Sequence, residues 1–183
     1  MSQDAYASGR KVKRNAVQEY ASDPNAKELR VVGMYNDYEE NDPWSYARNI
    51  ARGELALSIE AIVTSTIHTI RHSDQQREGK HEQKSSSRSA DLDVKTVAQQ
   101  LISGARVAKE EAFKQKDGTI TVYVCMEIDK ERLWGNIQNN RQLQNIVDDD
   151  DKQVRYDFSS DESREAFETS YENNKNLKSN HDE

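Results

Sequence analysis

The longest stretch of helical periodicity in the chain lies in residues 42–70. Trp44, Ala47, Ala51, Leu55, Ser58 and Ile62 fall within one arc of a helix, with Ile59, Thr66 and Ile70 beside them. Asp42-Pro43 predicts a sharp start, because an N-cap carboxylate is followed by proline at the first helical position, where its missing N–H costs nothing. Alanine leads the arc, so this helix is expected to lie close to a sheet. Ile50, Leu57 and Ala61 widen the apolar zone beyond what one sheet face needs, which makes them candidate interaction residues for a second partner.

The strands come from period-two patterns. Leu29-Arg30-Val31-Val32-Gly33-Met34-Tyr35 predicts a first strand with Leu29, Val31 and Tyr35 on one face, and Gly33 marks a bend or a close approach by the neighbouring helix. Residues 105–115 and 119–129 flank Lys116-Asp117-Gly118 and predict a hairpin, with Gly118 supplying the positive φ of the turn. Ile120, Val122, Val124, Met126 and Ile128 face the core, and Thr121, Tyr123, Cys125 and Glu127 the other side. The preferred register sets Phe113 opposite Tyr123 and Lys109 opposite Glu127, with Ala108 and Ala112 inside.

Weaker helical patterns complete the chain. Residues 4–20 read as a loose amphipathic helix with Val12, Ala16, Val17 and Tyr20 on one side. Val94, Val97, Ala98, Leu101 and Ile102 predict a short helix ended by Gly104. Residues 130–147 predict a helix capped by Asp129, weakened by Gly135 and an Asn/Gln run. Residues 73–89 contain no apolar side chain and are expected to be a mobile loop. The expectation is an α+β fold: a small antiparallel sheet of about three strands with the long helix and a second helix on one face.

Composition limits the core. Of the 183 residues, 34% are apolar and 32% charged, against roughly 45–50% and about 25% in an ordinary domain. One modest core follows, with an N-terminal amphipathic segment at 1–24, a domain at 25–147 and an acidic, mostly disordered tail at 148–183. Twelve acids against five bases in that tail account for the whole net charge of -7, leaving residues 1–147 balanced. Balance argues against a broad nucleic-acid surface, which needs a basic excess. The tail offers a protein partner its charge, and its one helical pattern, with Ser163, Phe167 and Tyr171 aligned, is expected to form only on such a partner.

Candidate chemistry is sparse. Arg10, Lys11, Lys13 and Arg14 form a basic patch suited to phosphate or an anionic surface, although such runs are commonly solvated faces. His68 and His72, one turn apart, could share a zinc ion with His81 as third ligand, but that end is polar and no regular structure sets the third ligand. The single cysteine, Cys125, excludes an internal disulfide and has no base beside it to activate it, so it reads as a packing residue. Residues 148–151, four consecutive Asp, lack the alternate spacing and glycine turn of a calcium loop. No motif calls for a cofactor, and no set of positioned acid, base and nucleophile points to an enzyme.

The helix opening Ala47-Arg48-Asn49-Ile50-Ala51-Arg52-Gly53-Glu54-Leu55-Ala56 resembles the small bacterial lipoprotein family called Lpp-twenty. So do Ile102-Ser103-Gly104-Ala105-Arg106-Val107, the Asp117-Gly118 turn and Thr121-Val122-Tyr123-Val124-Cys125-Met126-Glu127, which together span roughly residues 27–130. The resemblance implies a small α+β domain in envelope-associated, often oligomeric proteins, of the fold type also seen in a TNF-alpha-inducing bacterial protein and the first domain of a flagellar assembly protein. It carries no catalytic residues. Family members mostly have an export signal, often with a lipidated cysteine behind it, and neither stands at Met1-Ser2-Gln3-Asp4. The envelope or periplasm is therefore expected if a leader was removed, and the cytoplasm otherwise. Two functions follow as expectations: a non-enzymatic, self-associating envelope protein, or a cytoplasmic phosphate- or nucleic-acid-binding adaptor using the basic patch.

Overall fold

The computed structural model describes residues 14–78, 87–144 and 158–180, with side chains excepted at 71–78, 87–93 and 177–180. Three strands, β1 (Glu28–Asp37), β2 (Arg106–Lys114) and β3 (Ile120–Asp129), form an antiparallel sheet in the order β1-β3-β2. The fold is α+β, with the expected sheet and the long helix packed against it. The central position goes to the strand with the most apolar sequence: Val122, Val124 and Ile128 are buried on one face, Cys125 and Glu127 on the other. Strand β2, at an edge, is exposed along most of its length and carries Lys109, Glu110, Glu111 and Lys114, charges of the kind that keep an edge from pairing with other chains.

The long helix α2 (Pro43–Glu78) crosses the sheet at Gly33. A Cβ at that position would overlap the carbonyl oxygen of Ala47 and the backbone nitrogen of Ala51, so glycine on the strand and alanine on the helix set the distance between the two layers. Ala47, Ala51 and Leu55 are fully buried there. Farther along, the buried arc of α2 widens to Ile59, Ile62, Val63 and Ile67, because α3 (Ser87–Leu101) and α6 (Asp161–Asn180) also pack against it. Near its start, Arg48 leaves the apolar arc and forms a two-pronged ion pair with Glu110 on β2.

Helix α4 (Lys130–Asn139) begins where β3 ends, with Asp129 accepting from the Arg132 N–H at 2.9 Å as its N-cap. Its Trp134 packs on Phe167 of α6 at 4.8 Å between centroids and meets Phe158 edge-on at 6.4 Å. Asn136 donates to the carbonyls of Leu101 and Ser103, satisfying acceptors that the end of α3 leaves open. Asn140 interrupts the helix expected over 130–147 within the weak Asn/Gln run, and α5 (Arg141–Gln144) follows it up to the last described residue of this stretch.

Three other expectations need correction. First, the tail from 148 on is not mostly disordered. Helix α6 is part of the core, with Phe158, Phe167 and Tyr171 buried and the Tyr171 hydroxyl donating to the Lys27 carbonyl at 2.9 Å. Two aromatic anchors suffice because Ser163, Ala166 and Ser170 are small enough to let the helix sit against α2 and α4. Residues 148–151 lie outside the described residues.

Second, the polar segment at 73–89 is partly helical: α2 runs on to Glu78 and α3 starts at Ser87. A helix already nucleated continues through Gln, Arg and Glu, which favour it without burial. Third, the hairpin register differs. Phe113 pairs with Thr121 and Lys109 with Cys125, while a bulge at Ala108 brings Arg106 opposite Glu127. Phe113 still meets Tyr123 diagonally, at 5.9 Å. Gly118 has the expected positive φ, 89°.

The crossing supplies a paired test by urea denaturation. Gly33→Ala should lower the unfolding free energy by about 3 kcal/mol, the upper end of overpacking costs. Gly53→Ala, on α2 where a Cβ meets open space, should instead raise it by about 1 kcal/mol through helix propensity.

Candidate functional site

Two surfaces of the domain carry unusual features. The first is the solvent side of α2. Tyr46, Ile50 and Leu57 are 52%, 39% and 54% exposed, and Ala61 is exposed in line with them. At spacings of four, seven and four residues these side chains form one row, opposite the arc that meets the sheet. Gly53, Thr64 and His68 continue it, so the row spans about 33 Å of helix at 1.5 Å per residue. All three interaction residues read from the sequence, Ile50, Leu57 and Ala61, therefore share one exposed face. Tyr46 was missed, although it stands one turn ahead of Ile50; its ring stacks on Tyr35 at 4.8 Å.

The second surface is the outer face of the sheet, away from α2. At one end it is covered by α1 (Ala16–Ala21), a six-residue helix started by a reciprocal capping box between Asn15 and Gln18. Beneath α1, the Glu127 carboxylate is almost wholly buried and accepts hydrogen bonds from Tyr20 Oη (2.9 Å), Arg30 Nε (2.9 Å) and Arg106 Nε and Nη2 (3.0 and 2.7 Å). Arg30 also donates to the Tyr20 carbonyl, lies 3.8 Å from the centre of its ring, and pairs with Glu28. Burial pushes the Glu127 carboxyl up, but hydrogen bonds from Arg106, Tyr20 and Arg30 outweigh burial and hold it below the ordinary value. The Tyr20 phenol is raised, by burial and by its bond to Glu127.

Next to Glu127, Cys125 is fully buried, and burial raises its thiol to about 11. A thiol so protonated at neutral pH is a packing group rather than a nucleophile. Toward the hairpin the face is open: Met34 is 50% exposed and Phe113 38%, with Val32 and Tyr123 half-buried between them. Sequence reading placed Glu127 on this face but did not join it to Arg30, Arg106 and Tyr20. The available signal was one acid in an otherwise apolar central strand, which demands a cationic partner.

Most of the remaining candidate residues fall outside what the structure describes. His68 is exposed on α2, the His72 side chain is not described and His81 lies outside the described residues. Among the described residues no group of three or more His, Cys, Asp or Glu could hold a metal ion, and no helix is long and apolar enough to cross a membrane. Of the basic patch, Arg10, Lys11 and Lys13 lie outside the described residues, and Arg14 precedes α1. No family model, curated protein or solved structure matches the chain. The likeness to the Lpp-twenty family thus rests on the quoted residues alone.

Glu127 faces Tyr20 from α1, Arg30 and Glu28 from β1, Arg106 and Lys109 from β2, and Cys125 beside it on β3. Because its carboxyl is depressed in the folded state, its contribution is complete above the ordinary value of 4.5 and is lost as pH falls through the lowered one. Glu127→Gln should cost roughly 2 kcal/mol at pH 7, less than a fully buried pair because Arg106 is largely exposed. Stability measured by urea denaturation from pH 7 to pH 3 should fall less steeply below pH 4.5 in the variant than in the parent.

Proposed function

We propose that this chain is a non-enzymatic interaction module of the bacterial cell envelope that self-associates through the solvent side of α2. The observation that carries self-association is the row of Tyr46, Ile50, Leu57 and Ala61, exposed on a helix whose other side is already filled. Neither α3 nor α1 covers this row. Helix α3 packs instead on the buried arc of α2, and α1 lies on the outer face of the sheet. A second copy, offering the same row, meets the need symmetrically. Gly53 and Ala61 leave room for close approach of two helices. The envelope setting is part of the proposal and rests on the resemblance to the Lpp-twenty family.

Analytical ultracentrifugation at tens of micromolar is the test. The parent protein should sediment as an oligomer, and a strict monomer would overturn the reading. Leu57→Glu should weaken association about a hundredfold or more, through lost burial and an introduced charge, while leaving the far-ultraviolet circular dichroism unchanged.

A further inference from the structure

The hold of α1 on the domain differs in kind from that of the other long-range contacts. Six residues are too few to be helical in isolation, so α1 exists by docking. Of its side chains only Val17 is fully buried, and Tyr20 is half-buried. Among the described residues the hold also includes polar contacts: the Tyr20 hydroxyl on Glu127, the Arg30 guanidinium and, at 6.0 Å, the Lys109 ammonium over the Tyr20 ring, and a hydrogen bond from Arg30 to the Tyr20 carbonyl. Helix α6, by contrast, buries Ala166, Phe167, Ser170 and Tyr171 in the main core.

A buried carboxylate left without partners would forbid departure of α1. Glu127 avoids that penalty, because Arg30 Nε and both Arg106 nitrogens reach it from the strands and stay with it when Tyr20 leaves. The connection from α1 to β1 is short and turns at Asp23, whose side chain accepts from the Asn25 N–H, so α1 swings about one point near the start of β1. What departure uncovers is continuous with what is already open: Cys125 pairs with Val32 and lies beside Tyr123 on the same face as Met34.

We propose that α1 is a strap that opens without unfolding the domain and thereby extends the open apolar strip of the outer sheet face from Phe113 and Met34 to Cys125. The device is independent of self-association through α2.

Cys125 is the sole cysteine, so maleimide labelling of the full chain reads strap opening without background. When opening and closing are fast relative to labelling, the rate follows the open population. Below the unfolding transition the rate should depend little on urea. Tyr20→Phe, which removes one hydrogen bond to a charged group, should raise it about tenfold. Ile137→Val, on the buried side of α4, should lower the urea midpoint and leave the labelling rate unchanged. A rate that climbs with the urea dependence of global unfolding, or rises in step with global destabilisation in Ile137→Val, overturns the proposal, as does a rate that Tyr20→Phe leaves unchanged.

Discussion

The distance between α2 and the sheet is the constraint from which the rest of the structure follows. With no side chain at Gly33 and only methyl groups at Ala47 and Ala51, backbone meets backbone at the crossing. A helix held that close puts Leu55 and Ile59 in one buried core with the strand residues Val31, Val124 and Met126. It also turns the side of the same helix that carries Tyr46, Ile50 and Leu57 outward. The exposed row of Tyr46, Ile50 and Leu57 and the buried row of Ala47, Ala51 and Leu55 are two consequences of one rotation about the helix axis.

The two faces of the sheet obey different physics. On the inner face, burial of aliphatic and aromatic groups from α2, α3, α4, α5 and α6 dominates, at roughly 25 cal/mol for each Å² of apolar surface removed from water. On the outer face a single carboxylate organises two arginines and a tyrosine, and its geometry rather than its area keeps the edge strands in register with the centre. Arg30 on β1 and Arg106 on β2 both reach Glu127 on β3, so all three strands are tied at one level. The bulge at Ala108 belongs to this arrangement, since it is what brings Arg106 rather than Val107 opposite Glu127.

Much of the fold was legible in the sequence because it depends on local pattern. Alternation in Ile120, Val122, Val124, Met126 and Ile128, the Asp117-Gly118 turn and the alanine arc of α2 each encode their element within a dozen residues. Ile50, Leu57 and Ala61 could be read as surplus apolar positions by the same counting. What could not be read was long-range. Phe167 and Tyr171 look like a marginal pair of anchors until Trp134 and the Lys27 carbonyl are beside them, and composition alone hides that meeting. The Glu127 cluster joins residues from four separate segments, and no window of sequence contains it. The register slipped for a related reason: pairing Lys109 with Glu127 is chemically sound, but the hairpin sets Lys109 opposite Cys125, and Arg106 meets Glu127 only past the bulge.

Tyr171 and Lys175 both hydrogen-bond to main-chain carbonyls just ahead of β1, at Lys27 and Ala26, across some 144 and 149 residues of chain. The first strand is therefore sealed by the last helix. During synthesis, β1 and α2 leave the ribosome long before their final neighbours exist, and the apolar arc of α2 at Ile59 and Val63 waits for α6. Closure of so long a loop is slow and comes only after the chain through Tyr171 is free. A chain not yet complete through Tyr171 lacks α6, and the apolar arc of α2 that α6 packs against is then surface prone to association.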